Sequence, residues 1–242
     1  RLAEGGHKQL TGSKHVTGLK TTLHLLMVIA CFSAQAQVNE RVCGSLANGF
    51  GPFDYRAEKD GVTVGTGDHK YNLTLVEGAH FTKNVEMLIR GKSGTLAGGD
   101  IDYTLRAFPN HHRALMSVMK YGQKMRSQKP EGLQYEVECY FERAVRFSKD
   151  DVIVYMLYAT YLDSMKRQTE AVTQLERAAS FAKADPFSNY NIGLIYYDMK
   201  MYDRALTQAH LAKRLGFERT DLQDLLAKVG QWKDVAPTPA KP

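Results

Sequence analysis

Apolar and small residues recur along the C-terminal half of the chain with a spacing of 34. Ala171, Leu175 and Ala178 lie 34 residues before Ala205, Ala209 and Ala212, and 34 residues after Val137, Phe141 and Ala144. Tyr158-Ala159 aligns in the same way with Ile192-Gly193, and Leu162 with Tyr196. Within each block the apolar positions step by three and four, which places them on one face of a helix. The region from Asp100 onward therefore reads as nearly all helical. The spacing predicts helices over 111–124 and 134–147, with an insertion around Ser127–Gly132 that contains Lys129-Pro130. Ala107-Phe108-Pro109-Asn110 reads as the end of a still earlier helix. Residues 220–229 read as an amphipathic helix with Leu222, Leu225 and Leu226 on one face.

The N-terminal part has a different pattern. Arg1, Lys8, Lys14 and Lys20 precede an apolar run from Leu23 to Phe32, broken only by His24. The run ends in Ser33-Ala34-Gln35-Ala36-Gln37. Basic flank, short apolar core and a small-residue site in that order predict a secretory signal peptide cut after Ala36. A buried N-terminal helix is the alternative. The run is shorter than the roughly 20 apolar residues that a membrane span needs. Val28-Ile29-Ala30-Cys31 also resembles a bacterial lipobox, which would put a lipid on Cys31. Residues 1–18 look like neither a signal nor a domain and are set aside.

Glycine marks the next boundary. Eleven of the 20 glycines lie between Gln37 and Gly99 and only five follow Asp100, whereas eleven of the 13 tyrosines lie between Tyr103 and Tyr202. Residues 37–99 therefore read as an irregular, Gly-rich segment with short extended pieces. One helix is expected there, capped by Thr82, running to Ile89-Arg90 and stopped at Gly91. Residues 100–230 read as the helical domain and 231–242 as a disordered, Pro-containing tail.

The chain has 242 residues, 43% hydrophobic and 24% charged, which excludes wholesale disorder. Its formal charge is +6. Removal of residues 1–36 leaves 28 basic against 25 acidic residues, a charge of +3. No cluster of Lys and Arg interleaved with aromatics remains, so nucleic-acid binding is not expected.

The 34-residue period resembles the tetratricopeptide repeat, a helix-turn-helix unit. The best unit runs from Asn189 through Ile192-Gly193 and Tyr196 to Ala205 and Ala212. It departs from the family at the opening Trp, here Asn189, and at the closing Pro, here Phe217. The preceding unit has Tyr155 in the Trp slot, followed by Ala159, Leu162, Ala171, Leu175 and Ala178. Small residues let paired helices approach, and large apolar ones fill the seam. The resemblance implies an all-α, right-handed helical-repeat solenoid of about three repeats plus a capping helix, preceded by the Gly-rich segment. The stretch Gly98–His112 is similar to one group of exported bacterial repeat proteins.

Candidate chemistry is sparse. Adjacent His111 and His112, near Asp100 and Asp102, point about 100° apart on a helix and do not readily share a metal ion. They read as helix N-terminal polar residues with one packed ring, and His80 reads as isolated. Cys43 and Cys139 are the pair left after cleavage. In an oxidising compartment they predict a disulfide, with two free thiols as the alternative. No phosphate-binding, nucleophile-elbow or zinc-protease motif occurs. No catalytic residue, metal or cofactor is expected.

The resemblance implies that the first helix of each unit lines a concave face. Its positions are Arg113, Met116, Ser117, Lys120 and Gln123, then Ile153, Met156, Leu157, Thr160 and Asp163, then Phe187, Tyr190, Asn191, Leu194 and Tyr197. Such a groove is basic at one end and apolar-aromatic at the other. Tyr and Met suit peptide recognition, and Asn191 could hold a peptide backbone. The family's carboxylate clamp needs Lys where Tyr190 stands. Packing of the stripe by the cap or the Gly-rich segment is the competing reading. The expected function is a non-enzymatic adaptor or assembly factor of the bacterial cell envelope, periplasmic or secreted, with a protein or peptide partner. A membrane association follows only if Cys31 is lipidated. An envelope enzyme with its active site in residues 37–99, or a lipid-anchored assembly factor, is the alternative.

Overall fold

The computed structural model describes residues 43–59, 72–92, 94 and 96–234. The signal-peptide cut after Ala36, Cys31 and the tail beyond Asp234 lie outside the described residues. Cys43 and Gly44 belong to a first unit, Arg1–Gly44, and all the helices below belong to a second, Ser45–Pro242.

The described residues are all-helical, with no strand among them. The helices are α1 (Tyr55–Lys59), α2 (Asn72–His80), α3 (Lys83–Glu86), α4 (Gly98–Ala107), α5 (His112–Met125) and α6 (Val137–Phe147). They continue with α7 (Val152–Ser164), α8 (Gln168–Ala182), α9 (Pro186–Asp198), α10 (Tyr202–Arg214) and α11 (Asp221–Lys228). Each of α5, α7 and α9 packs on the helix that follows it, and also on the next helix but one. The fold is therefore a stack of hairpins in which α5, α7, α9 and α11 are successive neighbours.

The 34-residue period is visible in the backbone. From α7–α8 to α9–α10, both helix starts and the first helix's end advance by 34. The N-caps do the same. Asp151 accepts from the Ile153 and Val154 amides, and Asp185 from the Ser188 amide. Each turn is tied by an equivalent bond. The Tyr155 hydroxyl donates to the Lys149 carbonyl, and the Asn189 amide, 34 residues on, donates to the Lys183 carbonyl. Asn189 thus does by hydrogen bonding what a large ring does one unit earlier. Lys166 and Lys200, also 34 apart, end α7 and α9 at positive φ.

Gly193 is required by the stack. A Cβ there would stand 2.6 Å from Leu222 Cδ2 and 3.1 Å from Gln208 Cβ, so α9 meets both α10 and α11 at this point. One continuous core runs through the stack, from Phe81 and Val85 to Leu222 and Leu226. A smaller one gathers Tyr55, Val76, Ala107 and Phe108.

Three expectations need correction. The Gly-rich segment contains α1 and α2, which the glycine count obscured. The helix expected from Thr82 to Arg90 closes after one turn. Leu88 takes a left-handed conformation, and the Ile89 amide bonds back to the Asn84 carbonyl. The carbonyls left free at this end are satisfied by α5, that of Glu86 by Ser117 and that of Leu88 by Lys124. The helix expected from Gln134 starts only at Val137. Its leading amides are held elsewhere, Gln134 by Asp102 and Val137 by the Gln128 carbonyl.

Candidate functional site

The face built by α5, α7 and α9 is closed at both ends by the chain itself. On α5, residues 113, 117, 120 and 124 form one row. The Arg113 guanidinium donates to both carboxylate oxygens of Glu86, at 2.8 and 2.7 Å, and to Glu77 at 3.2 Å. It also lies over the Phe81 ring. Ser117 Oγ donates to the Glu86 carbonyl at 3.1 Å, and Lys124 Nζ to the Leu88 carbonyl at 2.6 Å. Val85 is fully buried between these contacts. Residues 81–88 therefore lie along α5 as a short docked segment, with Val85 as anchor and α5 side chains holding its carbonyls. Arg113, expected as part of an open basic groove end, is engaged. Met116 and Lys120, beside this contact, are exposed.

The far end is closed by the connection to α11. Tyr190 is 3% exposed, its hydroxyl donates to Asp221 at 3.2 Å, and its ring packs on Phe217 at 4.6 Å. The Arg219 guanidinium also lies over that ring, 5.6 Å from its centroid. Tyr190 is thus withdrawn from any partner. Met156 is also buried, at 7% exposure, and packs in the core. Their helical phase alone did not separate core from surface, because both sit on the edge of the row that turns toward a neighbouring helix.

The middle stays open. On α7 the row is Ile153, Leu157 and Thr160, and on α9 it is Phe187, Asn191 and Leu194, with Tyr197 beside it. Phe187 is 54% exposed, and Ile153, Leu157, Leu194 and Tyr197 are half-buried. Thr160 and Asn191 bond to carbonyls four residues back in their own helices. The rows end at Asp163 and Asp198. Burial and the nearby Asp163 carboxylate push the Asp198 carboxyl up.

A polar knot lies where α1, the start of α5 and the α6–α7 turn meet. Asp151, with its side chain 1% exposed, accepts from His112 Nε2 at 2.9 Å and from Asn110 at 3.1 Å. Arg56 Nε stands 3.5 Å away and bonds Asp54 and Asp150. A pocket of about 280 Å³ opens beside it, reaching Lys59, Ile153 and Ser188. His112 and Asp151 could form the acid-base half of a catalytic pair. Among the described residues, however, no hydroxyl or thiol donates to a histidine ring, so the arrangement presents no activated nucleophile. Also among the described residues, no group of three or more His, Cys, Asp or Glu side chains is placed to hold a metal ion.

His111 and His80 are both structural. His111 is fully buried, caps α5 through Nδ1 from the Ala114 amide, and donates from Nε2 to Glu77 at 3.0 Å. The two contacts fix the neutral tautomer. His80, which the sequence reads as isolated, pairs with Asp100 at 2.9 Å and stacks on Tyr103. Burial pushes the His111 pKa below its usual 6.5, against the opposing pull of Glu77. A histidine with a depressed folded pKa favours the folded state fully above pH 6.5, and that contribution is lost as pH falls through this window. The folded-state pKa values of Glu77 and Glu86 are held below 4.5 by His111 and Arg113, so their contribution is lost only at lower pH. The melting temperature should therefore fall between pH 7.5 and 5. His111→Gln should melt lower at pH 7.5 but with a flatter pH profile; an unchanged slope would remove His111 as the cause.

Cys43 and Cys139 are joined in a disulfide, as the pair predicts. That bond is compatible with a non-cytoplasmic setting. No helix among the described residues is long and apolar enough to cross a membrane. No protein-family model matches the chain, and no curated protein matches it significantly.

Proposed function

We propose that the chain is a tetratricopeptide-like interaction module, an adaptor or assembly factor of the bacterial envelope, which binds a peptide segment of a protein partner on the open rows of α7 and α9. One observation carries this reading. The same face of α5 already holds a peptide segment, residues 81–88, by burying one apolar anchor and bonding its carbonyls. The corresponding rows of α7 and α9 replace its charges with Ile153, Leu157, Phe187 and Leu194, which stay half-buried or exposed, Phe187 meeting Phe217 edge-on. The 34-residue advance of helices, caps and turn bonds supports the family reading. The disulfide and the apolar run Leu23–Phe32, followed by the small-residue site at Ala36, support export.

Leu157→Glu/Leu194→Glu tests the site. Both side chains are half-buried on the open face, so the fold should survive with a small loss of melting temperature. Capture of partners by the purified chain should drop at least about tenfold, the scale on which removal of one or two anchors weakens an interface. Undiminished capture by a folded variant would remove the face from the account.

A further inference from the structure

We propose that the pocket beside the polar knot binds a small zwitterion, an aliphatic α-amino acid. This goes beyond the docking face and does not depend on it. The pocket is lined by Arg56 and Lys59 of α1, by His112 at the start of α5, by residues 150–153 leading into α7, and by Ser188 in the first turn of α9. Its volume of about 280 Å³ lies just below the roughly 300 Å³ at which ligand pockets begin, so it suits a ligand of few atoms.

Several of its polar groups are without a protein partner. Ser188 is 8% exposed, and its hydroxyl makes no hydrogen bond among the described residues; Asp185 takes only its amide. A buried hydroxyl is ordinarily bonded, and the space that this one lines is the pocket. Lys59 makes no ion pair among the described residues, and the leading amide of α7, at Val152, has no acceptor in its own helix. Hydroxyl, ammonium and helix N-terminus are together donors for an anion. The pocket has acceptors as well. His112 spends Nε2 on Asp151, and its Nδ1 bonds nothing among the described residues. The Asp150 carboxylate stays 67% exposed beside its 3.1 Å contact with Arg56.

The balance of charge selects the ligand class. Arg56 and Lys59 face Asp150 and Asp151, so cations and carboxylates in the lining are equal in number. A phosphate dianion would meet both carboxylates, and a simple amine both cations. A zwitterion satisfies both sets, its carboxylate meeting the Ser188 hydroxyl and Lys59, and its ammonium meeting Asp150. Val152 and Ile153, both half-buried, supply the apolar wall for its side chain.

Isothermal titration calorimetry of the full chain tests this. The probes are leucine, isocaproate (leucine without its ammonium) and isoamylamine (leucine without its carboxylate). Leucine should bind with a Kd below about 1 mM, and each analogue about tenfold more weakly. Ser188→Ala should weaken leucine binding about tenfold, the scale of a hydrogen bond to a charged group. Its melting temperature should stay at or above that of the wild type, because an unbonded buried hydroxyl contributes nothing to the fold. Lys59→Gln should weaken leucine binding about threefold. No leucine binding, equal binding of either analogue, or unchanged binding by Ser188→Ala would overturn the inference. None of these results touches the docking face, whose test is Leu157→Glu/Leu194→Glu.

Discussion

Asp151→Ala should lower the unfolding free energy by about 4 kcal/mol, the largest loss expected from any single side chain here. Its carboxylate is buried and holds four groups at once: the α7 cap amides of Ile153 and Val154, His112 Nε2, and the Asn110 amide. Loss of a cap alone costs about 1 kcal/mol. The remainder comes from leaving His112 Nε2 and one of the two amide hydrogens of Asn110, whose other goes to Asp54, without an acceptor, at roughly 1–3 kcal/mol each. Asp151→Asn keeps a capping oxygen and should lose about half as much. Chemical denaturation of the three proteins checks the order. Equal stability of wild type and Asp151→Ala would mean that the knot joining α1, α5 and α7 contributes nothing.

Reduction of the Cys43–Cys139 disulfide should cost a similar amount. The bond closes a ring of roughly 100 residues, and restricting the unfolded chain over such a loop is worth about 4 kcal/mol. Both cysteines are 5% exposed, so strong reductant or partial unfolding is needed to open the bond. The wild type should melt at a lower temperature under reductant, whereas Cys43→Ser should melt at that lower temperature with or without it. If reductant does not shift the wild type, the bond is not closed in the protein.

The helical half of the fold was legible because its period is written in small residues. Ala171, Ala178, Ala205 and Ala212 mark buried contact points between helices, and Gly193 marks one where a Cβ would stand 2.6 Å from Leu222. The N-terminal segment was much less legible. Its α2 is short and contains Gly78, and the local sequence around Thr82–Gly91 favours a longer helix than forms. The carbonyls left free where that helix stops are taken by Ser117 and Lys124, far along the chain. The candidate face shows the same division. Helical phase puts Leu157, Asn191 and Leu194 on accessible rows, but it could not show that Glu86 already occupies Arg113 or that Phe217 and Asp221 cover Tyr190. Those are contacts between distant parts of the chain, and no local pattern encodes them. Asp151 was missed for a related reason: its cap role is local, while its hold on His112 and Asn110 is not.

In the proposed reading, one face of the helical stack serves two purposes. Its first row binds a segment of its own chain, and its later rows stand open with apolar anchors and an acidic end. Photo-crosslinking tests this most directly. Benzoylphenylalanine replaces Leu157, Leu194 or, on an exposed part of α8, Arg177, one position at a time, in the organism that makes the protein. The account predicts covalent adducts with a partner protein from positions 157 and 194 and none from 177. Adducts from 177 alone, or none from either leucine position, would contradict it.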